Sequence, residues 1–171
     1  MMKAAGIVFI LVSAVTMGFR LAQGLRKRCS LIRQLQSVIQ VLKNEITFGA
    51  VPLPQAFAKV AASADGQVSA LFGKVSGSME QRCWVTPMSA MKQALEEVPE
   101  WNREDRLCSI LLELCAKLGQ YDTDSQRQGI DLAMIQLEDE RRTAEQERSI
   151  KSRTYKTLGI CAGLAVSILL L

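Results

Sequence analysis

After Pro99 the chain contains no proline, and after Gly119 it has glycine only at positions 129, 159 and 163. Little in the last third of the sequence therefore opposes a helix. Its middle is charged: Glu138-Asp139-Glu140-Arg141-Arg142, then Glu145, Glu147, Arg148, Lys151, Arg153 and Lys156. Its end, residues 158–171, has no charged side chain and is rich in leucine. One helix over most of this stretch would be about 70 Å long at 1.5 Å per residue. That is too long for a compact domain of 171 residues. The reading is a helix that leaves a small bundle and enters a bilayer. Beyond Leu137 the apolar stripe thins to Ala144 and Ile150. The expected neighbours of the section 138–156 are therefore water, lipid head groups or another protein.

A second apolar run lies at the other end. Residues 4–19 carry no charge, and with Arg20 snorkelling the run extends to Leu25, a span of about 20 residues. A cleavable signal peptide is the rival, but no small-x-small cleavage site precedes a polar start. Basic residues flank both runs on their inner sides: Arg26, Lys27 and Arg28 after the first, Lys151, Arg153 and Lys156 before the second. Under the positive-inside rule both flanks face the cytoplasm, giving a hairpin with both termini outside. Membrane flanking accounts for both clusters without nucleic acid. The second run is short, about 21 Å for 14 residues against a hydrocarbon core of about 30 Å. It needs local thinning or a supporting partner helix. Gly159 and Gly163 form a GxxxG that permits close contact with a second helix, so self-association is one option. The organisation is three-part: a transmembrane helix in 1–25, a helical bundle in 26–150, and a juxtamembrane and transmembrane segment in 151–171.

Between the runs only helical periodicity appears. Leu31, Ile32, Leu35, Val38, Ile39, Leu42 and Ile46 recur at three and four, an amphipathic stripe. Gly49 and Pro52 end it. A second helix opens at Pro54 and carries Phe57, Val60 and Ala61 on one side; Asp65-Gly66 marks a turn. A third, over 67–80, uses Val68, Leu71, Phe72, Val75 and Met79. Thr86-Pro87 starts a fourth, carrying Met88, Met91, Leu95 and Val98 up to Pro99. Asn102 with Asp105 resembles a capping box for a fifth, with Leu107, Ile110, Leu111, Leu114 and Leu118 inward. Gly119 ends it, and a sixth begins near Asp122 or Thr123, packing Ile130, Met134 and Leu137. The fold class is all-α, a six-helix bundle between two membrane helices.

Chemistry is absent where it would be sought. There is no histidine, the commonest general base near neutral pH. No nucleophile elbow, P-loop or dinucleotide fingerprint occurs. The five cysteines include no CxxC, so neither a disulfide framework nor a zinc site is expected. Asp122 and Asp124 lack EF-hand spacing and read as turn and capping residues. No cofactor and no catalysis are expected; the chain has the build of a membrane-anchored scaffold, with a generic membrane-tethered adaptor or signalling module as the alternative.

One set of residues points further. An N-terminal span and basic stretch lead to Arg33-Gln34-Leu35, Glu45-Ile46-Thr47-Phe48-Gly49 and Pro52-Leu53. A second block is Leu118-Gly119 with Asp122, Gln126, Ile130 and Leu132, closed by Lys156, Leu158-Gly159 and Gly163. In order and spacing these resemble the stage III sporulation protein AB family of spore-forming Firmicutes. The family is similar to the cytosolic domain of type II secretion system F platform proteins, a six-helix bundle. The resemblance implies a platform in a channel complex between mother cell and forespore. It would sit in the mother-cell-derived membrane around the forespore, with its main domain in the mother cell cytosol. Implied partners are membrane lipid, a secretion-type ATPase and ring-forming proteins of the same operon. Under this reading partners use the turns near Glu45, Gly49, Pro52 and Leu53 and near Gly119, Asp122 and Gln126. Glu45, at the edge of the buried stripe, would need a basic partner if it were buried.

Overall fold

The computed structural model describes residues 2–48, 51–81, 85–119 and 123–170. Side chains are described for 23–24, 26–48, 51–81, 85–119 and 124–150. Among these residues every element is helical. They are α1 (Met2–Phe48), α2 (Leu53–Ala62), α3 (Gly66–Gln81), α4 (Pro87–Glu97), α5 (Asp105–Leu118) and α6 (Thr123–Leu170), with a short 3-10 turn at Pro99–Trp101. The six-helix count matches the periodicity. The first helix is longer than its apolar stripe, because Arg26, Lys27 and Arg28 do not interrupt it. Arginine and lysine are good helix formers, and no proline separates the two patterns. Residues 4–25 of the first apolar run and 158–170 of the second lie on the backbone of α1 and α6, and their side chains, except those of Gln23 and Gly24, fall outside the described residues. Among the described residues no helix is long and apolar enough to cross a membrane.

The chain divides into two compact units, Leu31–Glu140 and a second made of Met1–Ser30 with Arg141–Leu171. In the first unit the helices alternate in direction, and side-chain pairs fix the register. Gln36 donates to Glu138 at 3.2 Å and Lys43 to Asp131 at 2.6 Å. Seven residues forward on α1 is seven back on α6, so the two run antiparallel. Arg106 meets Glu140 at 3.4 Å and Gln136 donates to Glu113 at 3.2 Å, setting α5 antiparallel to α6. Ser69 and Ser76 hydroxyls donate to the carbonyls of Ala61 and Pro54, setting α3 against α2. Lys74 reaches Glu97 at 2.6 Å, setting α4 against α3.

The core follows the stripes. Leu31, Ile32, Leu35, Val38, Ile39 and Leu42 of α1 are buried, as are Phe57 and Val60 of α2 and Val68, Leu71, Phe72 and Val75 of α3. Phe57 and Phe72 stack with ring centroids 6.0 Å apart, a favoured aromatic arrangement. All five inward positions expected on α5 are buried. Thr86 caps α4 by accepting from the Ser89 N–H at 3.2 Å. Gly66 opens α3 at φ +57°, a left-handed conformation that glycine adopts without a Cβ penalty.

Four expectations are corrected. Met88 is 47% exposed, because the buried face of α4 runs through Pro87, Ala90, Met91, Ala94 and Leu95. Val98 is buried but lies beyond the end of α4. Asn102 does not cap α5. It sits in the helical region at φ −59°, closing the 3-10 turn by donating its backbone N–H to Pro99, and α5 starts after Glu104 without a side-chain cap. The charged section of α6 is not left to water, lipid and other proteins alone. Glu138 and Glu140 pair within the bundle, and Ala144 is 3% exposed in the second unit. In that unit Cys29 is likewise buried.

Candidate docking end of the bundle

Alternating directions collect the C-termini of α1, α3 and α5 and the N-termini of α2, α4 and α6 at one end of the first unit. The described residues that flank the two turns singled out in the sequence, Phe48 and Pro52 on one side and Gly119 and Thr123 on the other, therefore belong to the same end although 67 or more residues separate them. Gly49 and Asp122 lie outside the described residues.

Glu45, one turn before the end of α1, accepts from Lys59 of α2 at 2.5 Å. The basic partner expected for this carboxylate is thus Lys59. The pair is only partly shielded, since Lys59 is half exposed, and pairs of this kind contribute about 0–1 kcal/mol. Pro52 is exposed and in extended geometry at φ −57°, ψ 144°, and its carbonyl accepts from the Ala56 N–H at 3.0 Å to start α2. Leu53 is the half-buried first residue of α2. Gly119 closes α5 by donating its N–H to the Cys115 carbonyl at 3.2 Å. It does so at φ −74°, so no left-handed conformation requires glycine here. A Cβ on it would meet Pro87 Cδ at 3.6 Å, an ordinary contact. Gln126 is half-buried on the first turn of α6.

Two residues at this end were not read from the sequence as exposed contact candidates. Phe48 is 83% exposed. Its signal was its offset from the α1 stripe, two residues past Ile46. The other is Met88, at the N-terminal turn of α4. Aromatic side chains are over-represented among residues that dominate protein interfaces. The basic flanks lie elsewhere: Arg26 and Lys27 are exposed and Arg28 half-buried in the second unit, while the side chains of Lys151, Arg153 and Lys156 fall outside the described residues. Among the described residues no group of histidine, cysteine, aspartate or glutamate side chains is arranged to hold a metal ion. Burial pushes the Cys115 thiol up to about 12. Cys108 is raised too, chiefly by burial and then by Asp105 and Glu104.

The lineage of the chain is clear from comparison. The sequence matches the family described as Stage III sporulation protein AB over residues 3–171. The chain belongs to the stage III sporulation protein AB family. It is 33% identical over 174 residues to Stage III sporulation protein AB of Bacillus subtilis (strain 168), covering all of both chains. It also resembles a solved structure of Stage III sporulation protein AB (SpoIIIAB), with TM-score 0.66 and 30% identity. That match covers 72% of this chain and 98% of the other. The helical bundle is thus a fold of this sporulation family.

Proposed function

We propose that this stage III sporulation protein AB family member is a non-catalytic membrane platform of the channel complex between mother cell and forespore. Its bundle stands in the mother cell cytosol, and its two apolar runs lie in the mother-cell-derived membrane around the forespore. The docking end, with Glu45, Phe48, Pro52, Leu53, Gly119 and Gln126, receives a secretion-type ATPase, and ring-forming proteins of the same operon are neighbours. The observation that carries this reading is the antiparallel pairing of α1 and α6. Gln36 meets Glu138 close to where both helices leave the first unit, so the chain joins and quits the bundle at one end, as a two-legged anchor needs. The opposite end, which carries the last turns of α1 and α5, is then the face offered to a partner. Force from the ATPase would pass to the bilayer through α6, whose helix runs without a break from Thr123 to Leu170.

The test has two arms. Full-length protein should retain the ATPase encoded beside it, and Phe48→Ala should weaken that retention at least tenfold. Retention of no partner under conditions where each is folded counts against the platform reading. Topology is read by labelling a new cysteine, Ala70→Cys, on the exposed side of α3. The native Cys115 is a poor reporter because its side chain is fully buried. Labelling at position 70 should require permeabilised cells; labelling in intact cells would overturn the hairpin.

A further inference from the structure

The chain's modest net charge of +4 conceals a segregation. The unit made of residues 1–30 and 141–171 holds eleven of the 21 lysines and arginines but only two of the 17 carboxylates, Glu145 and Glu147. Its net charge is +9, which leaves −5 for the bundle Leu31–Glu140. An orientation signal needs only a modest surplus of basic residues on one side. This excess is larger, and it is confined to one unit.

We infer that the basic collar beside the two apolar runs, carried by Arg26, Lys27 and Arg148, is a docking surface for anionic phospholipid head groups. The inference rests on the reading that the runs lie in a bilayer. Arg26 and Lys27 are exposed on α1, while Cys29, on the inner face, is buried. Arg148 is exposed on α6. Of the two carboxylates in this unit, Glu145 pairs with Arg141 at 2.7 Å, one turn away. In sequence Arg26 and Lys27 directly follow the apolar run that ends at Leu25, which suits guanidinium and ammonium groups to phosphate depth. The excess also has a physical use. An acidic bundle tethered to an anionic membrane is repelled over about a Debye length, 8–10 Å, and the attraction of the basic collar to anionic head groups offsets that repulsion.

The experiment is lipid selectivity by electron spin resonance, with full-length protein in bilayers holding spin-labelled phosphatidylglycerol or phosphatidylcholine. Phosphatidylglycerol should be preferred at the protein surface by about fivefold or more, the effect of about one basic residue near an anionic surface. The preference should collapse toward one in 1 M salt and in Arg26→Gln/Lys27→Gln/Arg148→Gln. A variant with the same charge change in the bundle, Lys92→Gln/Arg103→Gln/Arg127→Gln, should keep it. Equal association of both lipids, or equal loss in both triple variants, overturns the inference while leaving the membrane reading intact. RNA binding in zwitterionic bilayers without lipid preference would also overturn it, assigning the collar to nucleic acid. Failure to incorporate into any bilayer would overturn the membrane reading and this inference together.

Discussion

Helices α1 and α6 lie side by side in the bundle and are held there by different physics. Over 31–42, α1 buries six large aliphatic side chains. Over 124–140, α6 buries only Gly129, Ile130, Ala133 and Leu137, and leaves Leu132 and Ile135 exposed. What α6 lacks in apolar volume it gains by proximity. A Cβ on Gly129 would fall 2.5 Å from Lys117 Cβ on α5, so the two helices touch where glycine permits it. Polar pairs flank the contact on both sides: Asp131 and Glu138 toward α1, Gln136 and Glu140 toward α5. A helix with few apolar residues is not thereby unattached; small residues and pairs at a close crossing can hold it.

That contrast can be broken at graded points. Leu35→Ala on α1 removes a fully buried side chain and should cost about 2–5 kcal/mol in chemical unfolding. A cost below 1 kcal/mol would show that α1 is not the principal support. Gly129→Ala on α6 should cost about 1–3 kcal/mol by forcing α5 and α6 apart, whereas Gly119→Ala should change stability by less than about 0.5 kcal/mol. Equal effects at the two glycines would refute the close crossing. The Glu45–Lys59 pair should show a coupling of at most about 1 kcal/mol in a double-mutant cycle, weakening with salt.

Two smaller effects are tied to pH. The Cys115 thiol is raised from 9.0 to about 12 by burial, so its contribution is complete below pH 9 and is lost as pH rises toward 12. Cys115→Ser should flatten that alkaline decline. Glu97 is held below its ordinary value first by the hydrogen bond from Lys74 and then by that from Gln93. Its contribution is present above the usual glutamate range and disappears on acidification. Lys74→Ala should remove most of this acid sensitivity, and an unchanged acid limb would assign it to other carboxylates.

Much of the fold was legible in the residues. Helix α5 shows its inward set at three- and four-residue spacing, and every member is buried. Thr86-Pro87 announced the start of α4, and Asp65-Gly66 the turn before α3. Trp101 was not legible as core. It sits in the 3-10 turn, where no helical period marks an inward face, yet it is 1% exposed and its indole N–H donates to the Gln67 carbonyl at 3.4 Å. The docking end was legible only as two separate turns. Nothing in either turn states that the other lies at the same end, or that Phe48 points outward there.

Local rules read along the chain determined the helices, their inward faces, the breaks between most of them, the two apolar runs and the basic flanks. These depend on residues within about one helical turn of each other, and on composition. Tertiary structure alone decided who neighbours whom. Lys43 and Asp131 are 88 residues apart, and no period in the sequence links them. The same holds for Glu45 and Lys59, and for Gly129 against Lys117. The pairing of helix faces is settled by which surfaces fit at close range. A glycine whose value is the absence of a side chain shows that value only when another helix lies against it.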